Sequence, residues 1–404
     1  MARLWSCGFE LQSVTAGVEV DTIVGQASIS TTLVNGGGAS LHTKGTVGTA
    51  YVTQQFTTTS ATNNVYVRFY INFGAFPSAN TITIALIRSA AAGNNLTIRC
   101  NTAGTIYLNN EQTSTQVGST SSALSLNTWY RIEYSYVYST GVANAYINGV
   151  NFATGTASAS VATDTAWFGN IDANTAITLN YDDIAINDQT GSNQTGLPGA
   201  GLLLRYSPNA AGDSNTFGTQ VGGTAGSANN FTRVDEVTPD NATSYNASIT
   251  AASDLFKVGA VTGSLPAGST INVVQVGGRI ANITAADTTA SLQFQIEQQA
   301  SGTIAKSGAI IPDTLTWSTN STSAPHNSPL TLYQDPTSTN WTTSTIASMQ
   351  IGYLIDFAHT DASAISTIWA YVDYSPAPIG KDIGNLNNSL GANISQAVNR
   401  SGTY

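Results

Sequence analysis

Residues able to do acid–base chemistry are few and scattered in this chain of 404 residues, which holds six glutamates: Glu10, Glu19, Glu111, Glu133, Glu236 and Glu297. Its adjacent carboxylates are Asp182-Asp183 and Asp235-Glu236. Two carboxyl groups flanking a glycosidic bond would make a glycosidase. Neighbours on a regular strand point to opposite faces, so neither pair is expected to form such a site. Turn and cap hydrogen bonding is the expected role. No Glu-x-Asp-x-x-Glu arrangement appears. Of His42, His326 and His359, only His359 has an acid close behind it, Asp361, and a loop contact is expected there rather than a metal. Cys7 and Cys100 could pair if the first strand lay beside the strand holding Cys100; two separate buried thiols are the other reading. There is no Gly-x-Ser-x-Gly, no P-loop and no Gly-x-Gly-x-x-Gly after a strand. No catalytic, cofactor-binding or metal-ligating residue is assigned, and the chain is expected not to be an enzyme.

Binding chemistry is better represented. Six tryptophans could stack on sugar rings where exposed, although core packing is the commoner fate of aromatics in a β-protein. Tyr66, Tyr70, Tyr107 and Tyr146 fall on the polar parity of their strands and suggest an exposed or inter-subunit patch. With Trp167 they are the candidate contacts for a glycan or a protein. Near the C-terminus Leu386, Leu390, Ile394 and Val398 recur every fourth residue, one apolar stripe on a helix. Such a short polar helix is marginal alone, so this tail is expected to dock on something.

These side chains must be positioned by strands. Tyr130, Ile132, Tyr134, Tyr136 and Tyr138 share one parity, and Arg131, Glu133 and Ser135 the other. That predicts a strand with one buried and one wet face. Ser139-Thr140-Gly141 leads to a second strand, which Asn148-Gly149 turns into a third. Val65, Val67, Phe69, Ile71 and Phe73 alternate with Tyr66, Arg68, Tyr70 and Asn72. Further strands are expected at Phe9–Leu11, Val18–Ile23, Ala50–Phe56, Ile82–Leu86, Leu96–Cys100, Ile106–Leu108 and Ala166–Gly169. The strand Ile177–Ile186 changes parity at Asp182-Asp183, and a β-bulge is the simplest account.

Gln189 to Gly201 reads as a Gly/Ser/Pro linker. Strands then recur at Leu202–Tyr206, Phe231–Glu236, Ile271–Val276, Leu292–Ile296, Leu330–Tyr333, Met349–Phe357 and Ile368–Tyr374, with a long loop over 207–230. The reading is all-β: two tandem antiparallel β-sandwich (jelly-roll) domains, 1–188 and 202–378, joined by the linker 189–201 and followed by the tail 379–404.

Composition narrows the function classes. Charged residues are 9% of the chain, against about 25% in an ordinary globular protein. The net charge is −10, from 23 acidic and 13 basic residues. No run of Lys or Arg offers a footprint for a phosphate backbone, so nucleic-acid binding is not expected. Nothing approaches the roughly 20 apolar residues of a membrane span, and membrane insertion is not expected. The first ten residues lack the pattern of a signal peptide. A polar, nearly uncharged surface without an export signal suits a virion component assembled in a host cytoplasm.

The run Trp129-Tyr130-Arg131-Ile132-Glu133, then Ala145-Tyr146-Ile147-Asn148-Gly149, then Tyr181-Asp182-Asp183-Ile184-Ala185-Ile186, resembles the laminin-G-like/concanavalin-A-like jelly roll over about residues 5–188. The resemblance implies that the opening Trp5–Glu10 segment forms the first strand and pairs with the last. That family includes lectins, adhesion modules and enzymes; a structural calcium ion in the first sandwich is compatible with it, and no residue is assigned to one. Asp254-Leu255-Phe256, Ile271–Val276, Asp335-Pro336 with Asn340-Trp341-Thr342, Met349–Tyr353 and Ala370–Tyr374 resemble modules of tailed-phage virion proteins. The implied function is a non-enzymatic structural component of a phage virion, a capsid decoration or tail/fibre-associated protein. Its expected partners are other virion proteins, cell-surface glycans and further copies of itself. A carbohydrate-binding adhesion module is the alternative, and a glycoside hydrolase or lyase ranks third.

Overall fold

A computed structural model describes residues 2–45, 48–56, 63–89, 91–172, 176–284, 291–299, 301–320 and 330–377. The apolar stripe of the tail, Leu386 to Val398, lies outside the described residues.

The protein is all-β, and strands between Arg3 and Asp188 form two facing antiparallel sheets. One sheet runs Val150–Thr156, Val142–Ile147, Trp129–Tyr136, Val65–Ala75, Ile177–Asp188, Ser40–Gly45, Ala27–Ser30. Its eighth strand, Arg3–Cys7, pairs with Ile184–Asn187 on the edge that Ser40–Gly45 occupies at Ile177–Tyr181. The first strand thus pairs with the last, as the family resemblance implied. The other sheet runs Thr115–Val117, Ile106–Asn110, Gly93–Cys100, Ile82–Ser89, Thr165–Asn170, Ala50–Gln55, Thr22–Val24. This is a jelly-roll arrangement, and each strand contributes alternate residues to a single core. Val65, Val67, Phe69, Ile71 and Phe73 all point into it, and Phe69 packs against Phe168 and Tyr181 at ring separations of 5.5 and 5.8 Å.

The second unit begins with Leu202–Asn215 and ends with Ser363–Ser375. Its strands form one branched sheet of eleven. Ser363–Ser375 is the trunk: along one edge it pairs with Thr270–Asn282, and along the other with Leu202–Tyr206 and Asn246–Ser248. The sheet surrounds its own core, which includes Phe256, Val274, Phe294, Ile351, Ile368 and Val372.

Several expectations need correction. Phe9–Leu11 is a turn, because Phe9 adopts φ 58° and its carbonyl accepts from Gln12 N. Phe231–Glu236 is not a strand: Ser227–Arg233 is a 3-10 helix, closed by Asn230 on Phe217 O and by Arg233 on Gly222 O. Much of the expected loop 207–230 is strand, since Leu202–Asn215 continues alongside Ala252–Ala260 through two bulges. A short helix, Thr343–Ser348, has a capping box between Thr342 and Thr345 that four polar residues concealed. The main correction concerns the face expected to be wet. Arg68, Asn72, Glu133 and Ser135 are as buried as the core residues beside them.

Candidate functional site

That face is buried because the second unit packs on it. Arg3 and Arg68 donate to one carboxylate oxygen of Asp373, at 2.7 and 3.0 Å, with all three side chains fully buried. Asn272 Nδ2 donates to the other oxygen at 2.8 Å. Burial pushes the Asp373 carboxyl up, but the two guanidinium groups outweigh it and hold it at about 2. From the linker, Gly199 N donates to Glu133 and Gly196 O accepts from Asn187. Arg205 donates to Glu10 O, Arg279 to Gly17 O and Thr319 to Val18 O. Leu11, Val18, Leu203, Trp369 and Tyr371 add a small apolar cluster to this seam.

The paired aspartates lie in the seam. The expected bulge is present: Asp182 faces Tyr70 and Ala185 faces Arg68, with Asp183 at φ 49° between them. Its consequence overturns the parity argument. The extra residue turns two successive side chains to the same side, and both carboxylates meet Asn35, Asp182 at its backbone N and Asp183 at its Nδ2, each at 2.7 Å. Glu10 joins them through Gly38 N at 2.9 Å. Asn35 to Ala39 thus forms a glycine-rich cradle for three acids. Gly36 is required because a Cβ would stand 2.7 Å from Asp183 Oδ1, and Gly37 because a Cβ would overlap Glu10 Oε1.

Burial governs these acids. It raises Glu10 to about 8 against the Gly38 amide, and Asp183 to about 6 against Asn35 and Arg68. Asp182 is pushed up by burial and then by Asp183. Nearby, Glu19 is raised to about 7 by burial although Tyr371 OH donates to it. Perturbed carboxyls of this kind are often catalytic, but here each is saturated. Leu203 N caps Asp183, Asn35 N and Gly36 N cap Asp182, and Leu11 N caps Glu19. The cavity beside Glu19, bounded by Trp5, Cys7, Trp369 and Tyr371, measures about 30 Å³. That is room for about two waters.

Cys7 and Cys100 are separate, buried and free. Burial lifts both thiols, Cys100 to about 12, which favours the protonated form. His359 Nε2 accepts from Ser291 N and its ring lies 4.3 Å from that of Phe357, while Asp361 accepts from Thr284 N and Ala362 N. Both make loop contacts.

The candidate contact residues do not form one patch. Tyr66, Tyr70 and Tyr146 lie half-buried on the seam side, opposite Ser135, Arg131 and Glu133 respectively. Trp167 and Tyr107 lie on the outer face of the seven-stranded sheet. There Tyr51 stacks on Trp167 at 4.8 Å and 8°, and the Arg88 guanidinium lies 4.9 Å from the indole centre. Register explains the ladder. Tyr51 pairs with Gly169 and Arg88 with Thr165, so they flank Trp167 along the strand. Both indole faces are therefore occupied, which leaves its edge and the half-buried rings of Tyr51 and Tyr107 for a ligand. Arg99 makes a bidentate pair with Glu111 on the same face, at 2.9 and 3.0 Å.

Sequence reasoning missed a third region, around Tyr333. Two grooves of about 340 and 390 Å³ flank this ring, and the linker residues Asn193 and Gln194 border one each. Asp335-Pro336 and Asn340-Trp341 were visible as a motif, but nothing in them signals that the linker runs past.

No protein-family model matches the chain, and no curated protein does. Among solved structures it is similar to a cellulose-induced protein, Cip1, at 18% identity over 48% of this chain and 98% of that one, with a TM-score of 0.37. It is similar to the alginate lyase AlgAT5 from Polysaccharide Lyase family 7 at 10% identity, over 44% of this chain and 89% of that one, with a TM-score of 0.33. A protein of unknown function with a galectin-like fold from Bacillus subtilis gives 13% identity over 46% of this chain and 96% of that one, with a TM-score of 0.33. The jelly-roll architecture stated for this chain rests on its own strand order.

Proposed function

We propose that this chain is a non-enzymatic structural component of a tailed-phage virion, a capsid decoration or a tail/fibre-associated protein that displays a lectin-like sandwich. The observation that carries this reading is the seam. A chain with only 9% charged residues buries Arg3, Arg68, Arg205, Glu10, Asp182, Asp183 and Asp373 between its two units. Burial of ionised groups is tolerated when they are paired and hydrogen-bonded, as Asp373 is by Arg3 and Arg68, and the hydrogen bonds of the other acids add to the tie between the two sandwiches. The acids hold the body rigid and are closed off from any substrate by backbone amides. The second unit and the tail anchor the particle protein, other virion proteins and further copies of the chain are its neighbours, and the first sandwich points outward. Mass spectrometry and imaging of purified particles test this. The chain should be found in stoichiometric amount on the particle surface, and particles without it would end the proposal.

A carbohydrate-binding adhesion role is the second reading. It is favoured by the outer face of the seven-stranded sheet, which carries Tyr51, Trp167 and Tyr107 beside Asn109 and Gln116. The described hydrogen bonds to the second unit start elsewhere, from residues 3–19 and from the opposite sheet. Glycan-array binding that disappears in Tyr51→Ala or Tyr107→Ala would support it, and binding unchanged by both would remove this face from consideration.

A further inference from the structure

We infer that the paired grooves on either side of Tyr333 are a binding site for a short neutral oligosaccharide. This goes beyond the virion reading and uses a different surface from the Tyr51–Trp167 face.

Size is the first observation. Each groove, at about 340 and 390 Å³, falls within the roughly 300–1,000 Å³ of small-molecule sites. Tyr333 lines both, so the two grooves share a wall. The second observation is rigidity. Tyr333 OH accepts from Arg3 N at 2.7 Å, which pins the phenol to the first strand of the other sandwich. The following loop is locked by Asp335, whose carboxylate accepts from Thr337 N, Thr337 Oγ1, Thr339 N and Thr339 Oγ1. Trp341 closes it by donating Nε1–H to Leu332 O, and a bridge joins Gln334 to Asn340. A loop fixed in this way loses little freedom on binding a ligand.

Chemistry selects the ligand. The polar lining is amide and hydroxyl: Asn193, Gln334 and Ser338 on one side, Gln194, Ser269 and Asn340 on the other. Such groups both donate and accept, which matches the hydroxyls of a sugar, each a donor and an acceptor. The Tyr333 ring offers an apolar platform between the two polar banks. Among the described residues no Lys, Arg or His lines either groove, and the charged group there is the Asp335 carboxylate. Anionic sugars are disfavoured.

The test uses the full chain. Short neutral oligosaccharides of gluco, galacto and manno configuration are titrated, with sialylated and uronate counterparts alongside, by calorimetry or ligand-observed NMR. Gln334→Ala and Asn340→Ala remove exposed amides with no described side-chain hydrogen bond, and Thr270→Trp fills one groove from an exposed position. At least one neutral oligosaccharide should bind, weakened by about tenfold or more in each variant, the size of a lost polar contact in a desolvated site. Tyr51→Ala should leave this binding unchanged. No binding by any neutral oligosaccharide, preference for the acidic ones, or binding insensitive to the three groove variants would each overturn the inference. Loss only in Tyr51→Ala would move the site to the other face and leave the adhesion reading standing without this one.

Discussion

The first sandwich has two outward faces built from alternate residues of similar strands, and each carries an arginine–carboxylate pair. On the eight-stranded sheet Arg68 meets Asp373 with both side chains wholly buried. On the seven-stranded sheet Arg99 meets Glu111 with side chains 28% and 14% exposed. One face is a seam, and among the described residues no hydrogen bond joins the other to the second unit. The difference between them is not in their own strands. It comes from what a segment around Asp373, 305 residues after Arg68, lays over one of them.

Removing the shared carboxylate should break the comparison most sharply. In Asp373→Ala, Arg3 and Arg68 remain buried and lose their counter-ion. Breaking a buried ion pair from one side costs about 3–5 kcal/mol, because an uncompensated charge is left behind. Urea denaturation should report a loss of that size. A loss below about 1 kcal/mol would mean that water reaches the seam, and the two faces would then be alike.

Acidity should act on the seam and, through Asp254 and Glu236, which burial raises to about 6 and 7, on the second unit as well. Glu10, Glu19 and Asp183 hold their protons up to about 8, 7 and 6 in the folded protein, against roughly 4 when unfolded. The folded state binds these protons more tightly, so their ionisation opposes folding, and stability rises as pH falls from about 8 towards 5. Asp373, depressed to about 2, works the other way: its contribution is present above roughly pH 4 and is lost as pH falls through about 2. Stability should therefore peak near pH 4–6, with a gain of several kcal/mol between pH 8 and 5. Denaturation curves at the two values check the sign, and a stability that falls over this range would contradict the burial of the acids.

Most of the first sandwich could be read from its residues, because a period of two is imposed locally and the core face of Val65–Phe73 needs no knowledge of distant partners. The bulge at Asp182-Asp183 was legible for the same reason: a parity slip is a local event. What the bulge does was not. Convergence of the two acids depends on Asn35, 148 residues before Asp183, and Leu203 caps Asp183 from beyond the linker. Parity states which side of a strand faces the core and is silent on whether the other side meets water. Tyr66 and Tyr107 look identical by that criterion and end on opposite faces. The Tyr333 grooves were hidden for a related reason, since a linker reads as a spacer until its path is known.

The acid cradle offers a smaller test. Gly37 sits at φ +56°, and a Cβ there would run into Glu10. Gly37→Ala should cost about 1–3 kcal/mol for the left-handed backbone, with more if Glu10 is displaced from Gly38 N. The readout is the pH dependence as well as the stability. If the cradle holds Glu10 in place, the stabilisation on acidification should shrink in the variant.

Arg99→Ala should have the smallest effect and completes the comparison. Glu111 keeps its hydrogen bonds from Thr97 Oγ1 and Asn109 Nδ2, at 2.7 and 2.6 Å, when the guanidinium is gone. The pair is partly exposed, so salt and water already weaken it, and exposed pairs contribute about 0.2–1 kcal/mol. The expected loss in denaturation is below about 1 kcal/mol, and it should shrink further in high salt. The same chemical pair thus separates the two faces by its response. Asp373→Ala should change little with added salt, because screening ions do not enter a buried seam, whereas Arg99→Ala should become silent. Equal salt sensitivity in the two variants would show that the seam is open to solvent and that the charges there are no latch.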